Sequence, residues 1–167
     1  MKKLFKQGLL SSAVAIAAFA SVSANAATPV TANLNTSATI SSSCQIAATD
    51  VNFGTVTPAA TGDAVATGKI TATCTNGTGY HITISAGNSG DETQRTMKGA
   101  TGNTDAFKYN LYSDAAHAQV WKSAELEGVA GTGNGDKQEL TVYGKASLNQ
   151  YLKPDTYNDT LTVTLAY

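Results

Sequence analysis

Residues 28–40 read TPVTANLNTSATI, and in this stretch every second residue is apolar or small. The alternating residues are Val30, Ala32, Leu34, Thr36, Ala38 and Ile40. A period of two is typical of a β-strand that buries one face against a sheet. The run precedes the first cysteine, and no turn signal joins it to a following strand. We therefore expect this leading strand to join the sheet of another chain, which favours polymerisation over catalysis.

A signal peptide is predicted over residues 1–26. Three lysines within the first six residues form a positive region, and residues 24–26 (ANA) form a small-x-small cleavage site. Between them, residues 9–19 form an apolar stretch that is broken by Ser11 and Ser12. A transmembrane anchor is the competing interpretation, but the apolar stretch is shorter than the roughly 20 residues of a span. Cleavage would leave 8 basic and 12 acidic side chains, a net charge of −4. This acidity disfavours a nucleic-acid or anionic-membrane partner, since either would require a basic stripe.

The chain contains two cysteines, Cys44 and Cys74. An exported chain with an even number of cysteines is expected to form a disulfide. A bridge that closes a loop of about 30 residues stabilises a fold by about 3–4 kcal/mol in the chain-entropy model. Two free thiols or a metal pair are the alternatives, but no histidine lies at a zinc-like spacing and two thiolates alone bind zinc poorly. We predict the disulfide, and we expect neither a metal nor a cofactor.

The rest of the chain has the pattern of a β-sandwich, with short alternating runs separated by Gly, Asn and Asp clusters. An edge strand around residues 95–97 would bury Met97 and leave Arg95 solvated. Loops are predicted over residues 57–68 and over residues 128–135, whose four glycines indicate mobility. The other predicted strands cover residues 39–47, 50–56, 69–75, 80–86, 107–113, 119–122, 137–146 and 156–167.

Catalysis is not indicated by the sequence. His81 alternates with apolar residues in a predicted strand and His117 lies in a polar loop, neither at ligand spacing from a cysteine or an acid. The adjacent Asp91 and Glu92 are interpreted as solvated charges. Residues 131–136 resemble a phosphate cradle but lack the Lys-Ser/Thr pair and the following helix. We expect neither an enzyme nor a small-molecule substrate.

A secreted monomeric β-sandwich that binds carbohydrate is the second hypothesis. Tyr109, Tyr112 and Trp121 would supply its aromatic platform. Aromatic residues dominate the interiors of sandwiches, however, so we assign Tyr109 and Trp121 to the core.

Eight short segments, taken in order and spacing, make the chain recognisable. They are SCQI (43–46), VNFG (51–54), ITATCTNG (70–77), YHITI (80–84), RTM (95–97), YNLYSD (109–114), VW (120–121) and YNDTLTVTL (157–165). Together they resemble the spore coat protein U-like pilins, the subunits of archaic chaperone–usher (Csu-type) pili. Thr156 stands where the family usually has a glycine, a departure that affects the local turn but not the strand.

The resemblance implies an all-β fold, an incomplete immunoglobulin-like β-sandwich that lacks one strand and exposes an apolar groove. A periplasmic pilus chaperone would fill the groove until, at an outer-membrane usher, the next subunit's N-terminal extension replaces it. Chaperone–pilin complexes are an example of this strand-addition mode. The implied domains are a signal peptide (1–26), a donor-strand extension (27–38) and a pilin domain (39–167). The inserted residues would be Val30, Ala32, Leu34, Thr36 and Ala38, and the groove would be flanked by Leu161, Val163, Leu165 and Tyr167.

The implied function is that of a structural shaft subunit of a cell-surface pilus, exported through the periplasm and assembled with identical or related pilin subunits. A tip adhesin would need an additional receptor-facing domain, for which the sequence shows no segment. Adhesion and biofilm formation follow from the resemblance alone.

Overall fold

The structure, a computed structural model, describes residues 27–58 and 61–167. The predicted signal peptide lies outside the described residues. The chain divides into a first unit that ends at Ala38 and a second unit from Thr39 to Tyr167. Residues 27–38 have no regular secondary structure, and the side chains of Val30 and Leu34 are 98% and 89% exposed. A lone extended segment has no partner for its backbone groups, so it forms no strand by itself.

The second unit is built from antiparallel strands. Its larger sheet has the strand order β1-β2-β7-β5-β4-β8, its smaller sheet has the order β6-β3-β9, and single 3₁₀ turns cover Gly87–Ser89 and Glu125–Glu127. The strands of the described residues are β1 (Cys44–Ala48), β2 (Asp63–Cys74), β3 (Gly79–Ile84), β4 (Arg95–Gly99), β5 (Ala106–Tyr112), β6 (Val129–Thr132), β7 (Lys137–Ser147), β8 (Tyr157–Asn158) and β9 (Val163–Ala166).

One hydrophobic core lies between the two sheets. Alternate residues of the long strands face it, as the period-two pattern predicts. The fold is therefore all-β, an immunoglobulin-like β-sandwich, which confirms the predicted class. The buried hydrophobic residues of β2, β3 and β5 are Ile70, Ala72 and Cys74, Tyr80, Ile82 and Ile84, and Phe107, Tyr109 and Leu111.

Two segments that were expected to be loops form strands. The prediction is wrong for the second half of residues 57–68, because β2 begins at Asp63 and pairs with Ser147 of β7. It is also wrong for the first part of residues 128–135, because Val129–Thr132 form β6, which pairs with β3. A Cβ atom at Gly131 would overlap the ring of Tyr80. Glycine there permits close packing in a strand rather than mobility.

Three predicted strands are shorter or absent. The prediction for residues 39–47 is wrong at its start, because β1 begins only at Cys44. Residues 50–56 form no strand, although Phe53 packs from this irregular segment against the ring of Phe107 at 6.1 Å. Residues 119–122 make a single β-bridge instead of a strand. In the last two cases apolar residues reach the core without a continuous ladder of backbone hydrogen bonds.

The predicted last strand, residues 156–167, is divided between the two sheets. Its first part, β8, pairs with β4 at the edge of the larger sheet, where Tyr157 lies opposite Gly99. Its second part, β9, pairs with β3 of the smaller sheet. The four residues between them, 159–162, carry the chain across the sandwich; we call them the crossing segment.

The prediction that Arg95 is solvated is wrong, because its side chain is 0% exposed. The guanidinium donates five hydrogen bonds, all of them to uncharged oxygens, and burial lowers the pKa of Arg95. Among the described residues, every buried polar side-chain atom has a partner. The acceptors are the backbone oxygens of Ile84, Ser85, Glu92 and Trp121 and Oδ1 of Asn110.

The predicted disulfide is present. Cys44 of β1 and Cys74 of β2 lie directly opposite each other with their Cα atoms 4.1 Å apart, and the bridge spans 30 residues of sequence. Since β1 pairs with β2 alone among the described strands, the covalent link holds an edge strand in place.

We expect the double replacement of Cys44 and Cys74 by serine to lower the free energy of unfolding by about 2–4 kcal/mol, because the unfolded chain regains the freedom that the bridge removes. Denaturant unfolding of the variant beside oxidised and reduced wild type measures the difference, and the reduced wild type should match the variant. Two free thiols in the native protein, seen by mass spectrometry, would contradict the bridge.

The interpretation of Glu92 as a merely solvated charge is wrong. Its carboxylate accepts hydrogen bonds from the backbone N–H of Ser123 at 2.7 Å and from the hydroxyl of the same residue, and it pairs with Lys122 at 3.3 Å. The hydroxyl hydrogen bond is the main reason that the pKa of Glu92 lies below its ordinary value, with Lys122 adding to it. Glu92 thereby ties residues 122–123 to the turn before β4.

A lowered pKa means that Glu92 stabilises the fold above the ordinary pKa of glutamate, about 4.3, and loses this effect as the pH falls through its folded value. We therefore expect Glu92→Gln to be less stable than wild type at pH 7 and the difference to shrink below about pH 4. Unfolding curves across this range measure it, with the exposed Glu125→Gln as the control. A difference that does not change with pH would contradict the assignment.

Candidate functional site

Two edge strands of different sheets lie beside each other in the second unit. Within residues 39–58 and 61–167, β9 pairs only with β3 and β1 pairs only with β2, so each has one open edge. Cα atoms of β1 and β9 approach within 8 Å of each other. The two open edges therefore border one opening into the sandwich, which we call the β1–β9 cleft.

Apolar side chains along the β1–β9 cleft face the core but are incompletely covered. Val163 and Leu165 of β9 lie opposite Ile84 and Ile82 of β3 and so share their core-facing side. Both β3 residues are buried, whereas both β9 residues are only half-buried. On the other wall, Ile46 lies opposite the fully buried Ala72 and is nevertheless 37% exposed. The core is therefore open along this line.

The backbone of β9 presents unpaired groups to the same opening. The N–H of Ser85 donates to the oxygen of Thr162 at 2.9 Å, which makes Thr162, Thr164 and Ala166 the residues that bond to β3. In an antiparallel pair the residues between them direct their N–H and C=O groups away from the partner. Val163 and Leu165 thus offer both an apolar side chain and free backbone groups.

The same alternation holds on β1. The N–H of Thr75 donates to the oxygen of Ser43 at 2.9 Å, and further along the N–H of Thr49 donates to the oxygen of Lys69 at 2.8 Å. The odd-numbered residues of β1 therefore bond to β2, and Cys44 and Ile46 direct their backbone groups to the open edge. An opening lined by free backbone groups and core-facing apolar side chains is suited to bind an extended chain.

The structure distributes the predicted groove residues along this edge. Val163 and Leu165 lie in β9, Leu161 lies in the crossing segment against the core, and Tyr167 follows β9 with 64% of its surface exposed. Sequence reasoning did not assign Ile46 to the site. Its spacing of two from Cys44, whose partner is a core residue, is the signal that would have placed it on the inner face.

The predicted inserted residues lie in the first unit and are all exposed. None of them belongs to a strand of the described chain. Val30 and Leu34 are the large apolar residues among them, and the others are small, being Ala32, Thr36 and Ala38.

The residues considered for carbohydrate binding, metal binding or catalysis do not form a site among the described residues. Tyr109 and Trp121 are 4% and 1% exposed, so they belong to the core and leave Tyr112 as the remaining member of the carbohydrate platform. His117 packs edge-on against Tyr112 with ring centroids 5.2 Å apart, and half-buried His81 lies in β3. In the described parts of the chain, no three His, Cys, Asp or Glu residues are grouped as a metal site. No helix there has the length and apolarity required to cross a membrane.

Comparison with known families assigns the chain to one of them. The profile described as Spore Coat Protein U domain matches residues 30–164. The chain belongs to the Spore Coat Protein U family. A relative, Protein U of Myxococcus xanthus, is 31% identical over an alignment 159 residues long, and 86% of this chain and 88% of that protein are covered. As a member of the Spore Coat Protein U family, the chain is a structural protein and not an enzyme.

A solved structure has a similar fold. It is the crystal structure of the CsuC–CsuE chaperone–tip adhesion subunit pre-assembly complex from the archaic chaperone–usher Csu pili of Acinetobacter baumannii. A chain of that complex is similar to this one with a TM-score of 0.58 and 24% identity, over 77% of this chain. The chain spans about 40% of the length of the protein that it matches there. At this identity the likeness concerns the fold of the Spore Coat Protein U domain.

Proposed function

We propose that this Spore Coat Protein U family member is a pilus subunit that polymerises by donor-strand exchange. The observation that carries the proposal is the β1–β9 cleft, where core-facing apolar side chains and free backbone groups occur on both walls. The exposed run from Val30 to Ala38 has the period of two that such an opening requires of an inserted strand. The family match begins at residue 30, which supports this run as part of the functional domain.

Three segments of the chain would have different roles in this function. Residues 1–26 would direct export, residues 27–38 would form the donor strand, and residues 39–167 would form the domain that accepts a donor. A segment that is exposed in one chain and apolar on one side meets an apolar opening in the next. Head-to-tail pairing of this kind produces a fibre when the rotation from one subunit to the next does not close into a ring.

Insertion would combine two favourable contributions. Each backbone hydrogen bond contributes about 0.5–1.5 kcal/mol net. Burial of Val30 and Leu34 adds about 1.5–3 kcal/mol apiece, and the three small residues would occupy shallower positions. The position that receives Leu34 would set the register, since a slip of one residue turns every side chain to the other face. Because separation would reopen a core, we expect the fibre to be kinetically stable.

Before assembly, a partner must occupy the β1–β9 cleft. Unpaired edges bordered by apolar side chains are templates for aggregation. We propose that a periplasmic chaperone covers the cleft, that an outer-membrane usher is the site of exchange, and that the next subunit is identical or related. The similarity to a chain of a chaperone–subunit complex supports the chaperone partner. The fibre would lie on the cell surface, where adhesion and biofilm formation are its proposed consequences.

Deletion of residues 27–38 tests this function. In cells that express the chain with its neighbouring secretion genes, electron microscopy is expected to show fibres for the complete chain and none for the deletion. The control is recovery of the deleted subunit from the periplasm in folded, chaperone-bound form. Fibres formed by the deletion variant would contradict the donor role of residues 27–38. A stable monomer without residues 27–38 would instead favour the carbohydrate-binding hypothesis.

A further inference from the structure

The crossing segment is anchored by one carboxylate. Oδ2 of Asp159 accepts a hydrogen bond from the hydroxyl of Tyr109 at 2.7 Å, and Oδ1 accepts one from the backbone N–H of Asn88 at 2.9 Å. Tyr109 is 4% exposed and belongs to β5 of the larger sheet. Asn88 belongs to the turn that follows β3 of the smaller sheet. Asp159 therefore connects to both layers of the sandwich at the point where the chain passes between them.

The turn after β3 is shaped to receive this carboxylate. Gly87 has a φ of +66°, a conformation that favours glycine. A Cβ atom at Gly87 would overlap the Asp159 carboxylate and the side chain of Leu161. Nδ2 of Asn88 also donates to the backbone oxygen of Asn158 at 3.3 Å. The contacts hold the chain on both sides of Asp159.

Thr162, the last residue of the crossing segment, is also anchored, and it lies next to the open edge of β9. The backbone oxygen of Thr162 accepts a hydrogen bond from the N–H of Ser85, and the N–H of Thr162 donates to Oγ of Ser85, each at 2.9 Å. Thr162 immediately precedes β9, which begins at Val163. Among the described strands β9 has a neighbour on one side only, so its position depends on β3 and on the way the chain enters it. Within the part of the chain that the structure describes, the contacts that fix this entry include one carboxylate, that of Asp159.

We propose that Asp159 is a positioning residue that holds β9 ready to receive an inserted strand. The inference rests on the proposed function of the β1–β9 cleft and adds to it the group that prepares the acceptor. A strand that is already fixed loses less conformational freedom when it pairs, so that more of the interaction energy appears as affinity. Burial raises the pKa of Tyr109, and its hydrogen bond to Asp159 adds to the shift. The hydroxyl would be a donor at neutral pH even at the ordinary tyrosine pKa of about 10.

A peptide-capture experiment tests the proposal. The acceptor is the full chain that carries Leu34→Asp, so that its own segment does not dock, refolded under oxidising conditions. The probe is a fluorescent peptide of residues 27–40. A second substitution in this acceptor, Asp159→Asn, retains the side chain's shape but removes the charge and one of the two acceptor oxygens. We expect it to weaken capture about tenfold. Amide exchange should accelerate in residues 158–166 while β2 and β7 keep their protection.

Asp155→Asn is the matched control. Asp155 lies four residues earlier and also accepts several hydrogen bonds, from the backbone and hydroxyl of Thr101 and from Asn103, but these hold a turn of the larger sheet. We expect this variant to capture the peptide as the parent does. Tyr109→Phe removes only the hydroxyl that donates to Asp159. We expect it also to weaken capture and to accelerate amide exchange in residues 158–166, so it tests the proposal if Asp159→Asn fails to fold.

The outcomes separate this inference from the function on which it rests. Equal capture by the parent and by both the Asp159 and Tyr109 variants would overturn the positioning role alone. A general loss of exchange protection, which includes β2 and β7, would also overturn it, because the carboxylate would then stabilise the whole fold. A folded parent that captures no peptide would overturn the proposed strand exchange, and the positioning role with it.

Discussion

Replacing Leu34 with aspartate is expected to abolish fibres while the subunit still folds and is exported. Leu34 is 89% exposed in the single chain, so the substitution changes almost no buried surface there. Docking would instead require a carboxylate to enter an apolar cleft, where it must lose its hydration or its charge. The loss of the leucine's burial, about 1.5–3 kcal/mol, adds to that penalty.

The neighbouring residue supplies a matched control for Leu34→Asp. Asn33 lies next to Leu34 in the opposite phase of the alternation, so Asn33→Asp adds the same charge on the face directed away from the core. Electron microscopy and the amount of sedimentable polymer measure both variants, and chaperone-bound subunit measures folding. Wild-type fibre yield from Leu34→Asp, or equal loss in both variants, would contradict the inward position of Leu34.

Replacing Arg95 with methionine is expected to prevent folding. The side chain fills a fully buried position, and methionine retains much of its volume while it removes all five hydrogen-bond donors. The acceptors remain, and each buried polar group left without a partner costs about 1–3 kcal/mol. Several such losses approach the whole stability of an ordinary domain, about 5–15 kcal/mol.

Two further substitutions define the role of Arg95. Arg95→Lys is expected to be strongly destabilising as well, because an ammonium has three donors where the guanidinium has a planar set of five. Lys98→Met, an exposed residue of the same strand, removes the same charge and should have little effect. The yield of folded, disulfide-bonded subunit and its unfolding curve measure all three. A folded Arg95→Met protein within about 1 kcal/mol of wild type would contradict this account.

The inner faces of the sandwich could be predicted because they depend on local alternation. Ile70, Ala72 and Cys74 repeat at every second position, and so do the buried hydrophobic residues of β3 and β5, since each strand places successive side chains on opposite faces. The disulfide could likewise be predicted from only two features, the expected export of the chain and its even number of cysteines. These features require no knowledge of which strands become neighbours.

The features that were missed depend on pairing between distant segments. Residues 129–132 contain glycine because the ring of Tyr80 lies against Gly131, which the local sequence does not reveal. Arg95 is buried because its acceptors converge from several separate segments. The crossing segment looks like an uninterrupted strand in sequence, but it is held between the two sheets by contacts with distant residues, among them those of Asp159 with Asn88 and Tyr109.

The strand-exchange proposal is tested most directly by photo-crosslinking within assembled fibres. A diazirine-bearing residue at position 34 is placed in isotopically labelled subunits, which are assembled with unlabelled ones, and crosslinked peptides are identified by mass spectrometry. The expected result is a crosslink from position 34 to β9 or β1 of a different molecule, which is recognised by its mixed isotopes. Crosslinks confined to a single molecule, or to surfaces away from both strands, would contradict the account.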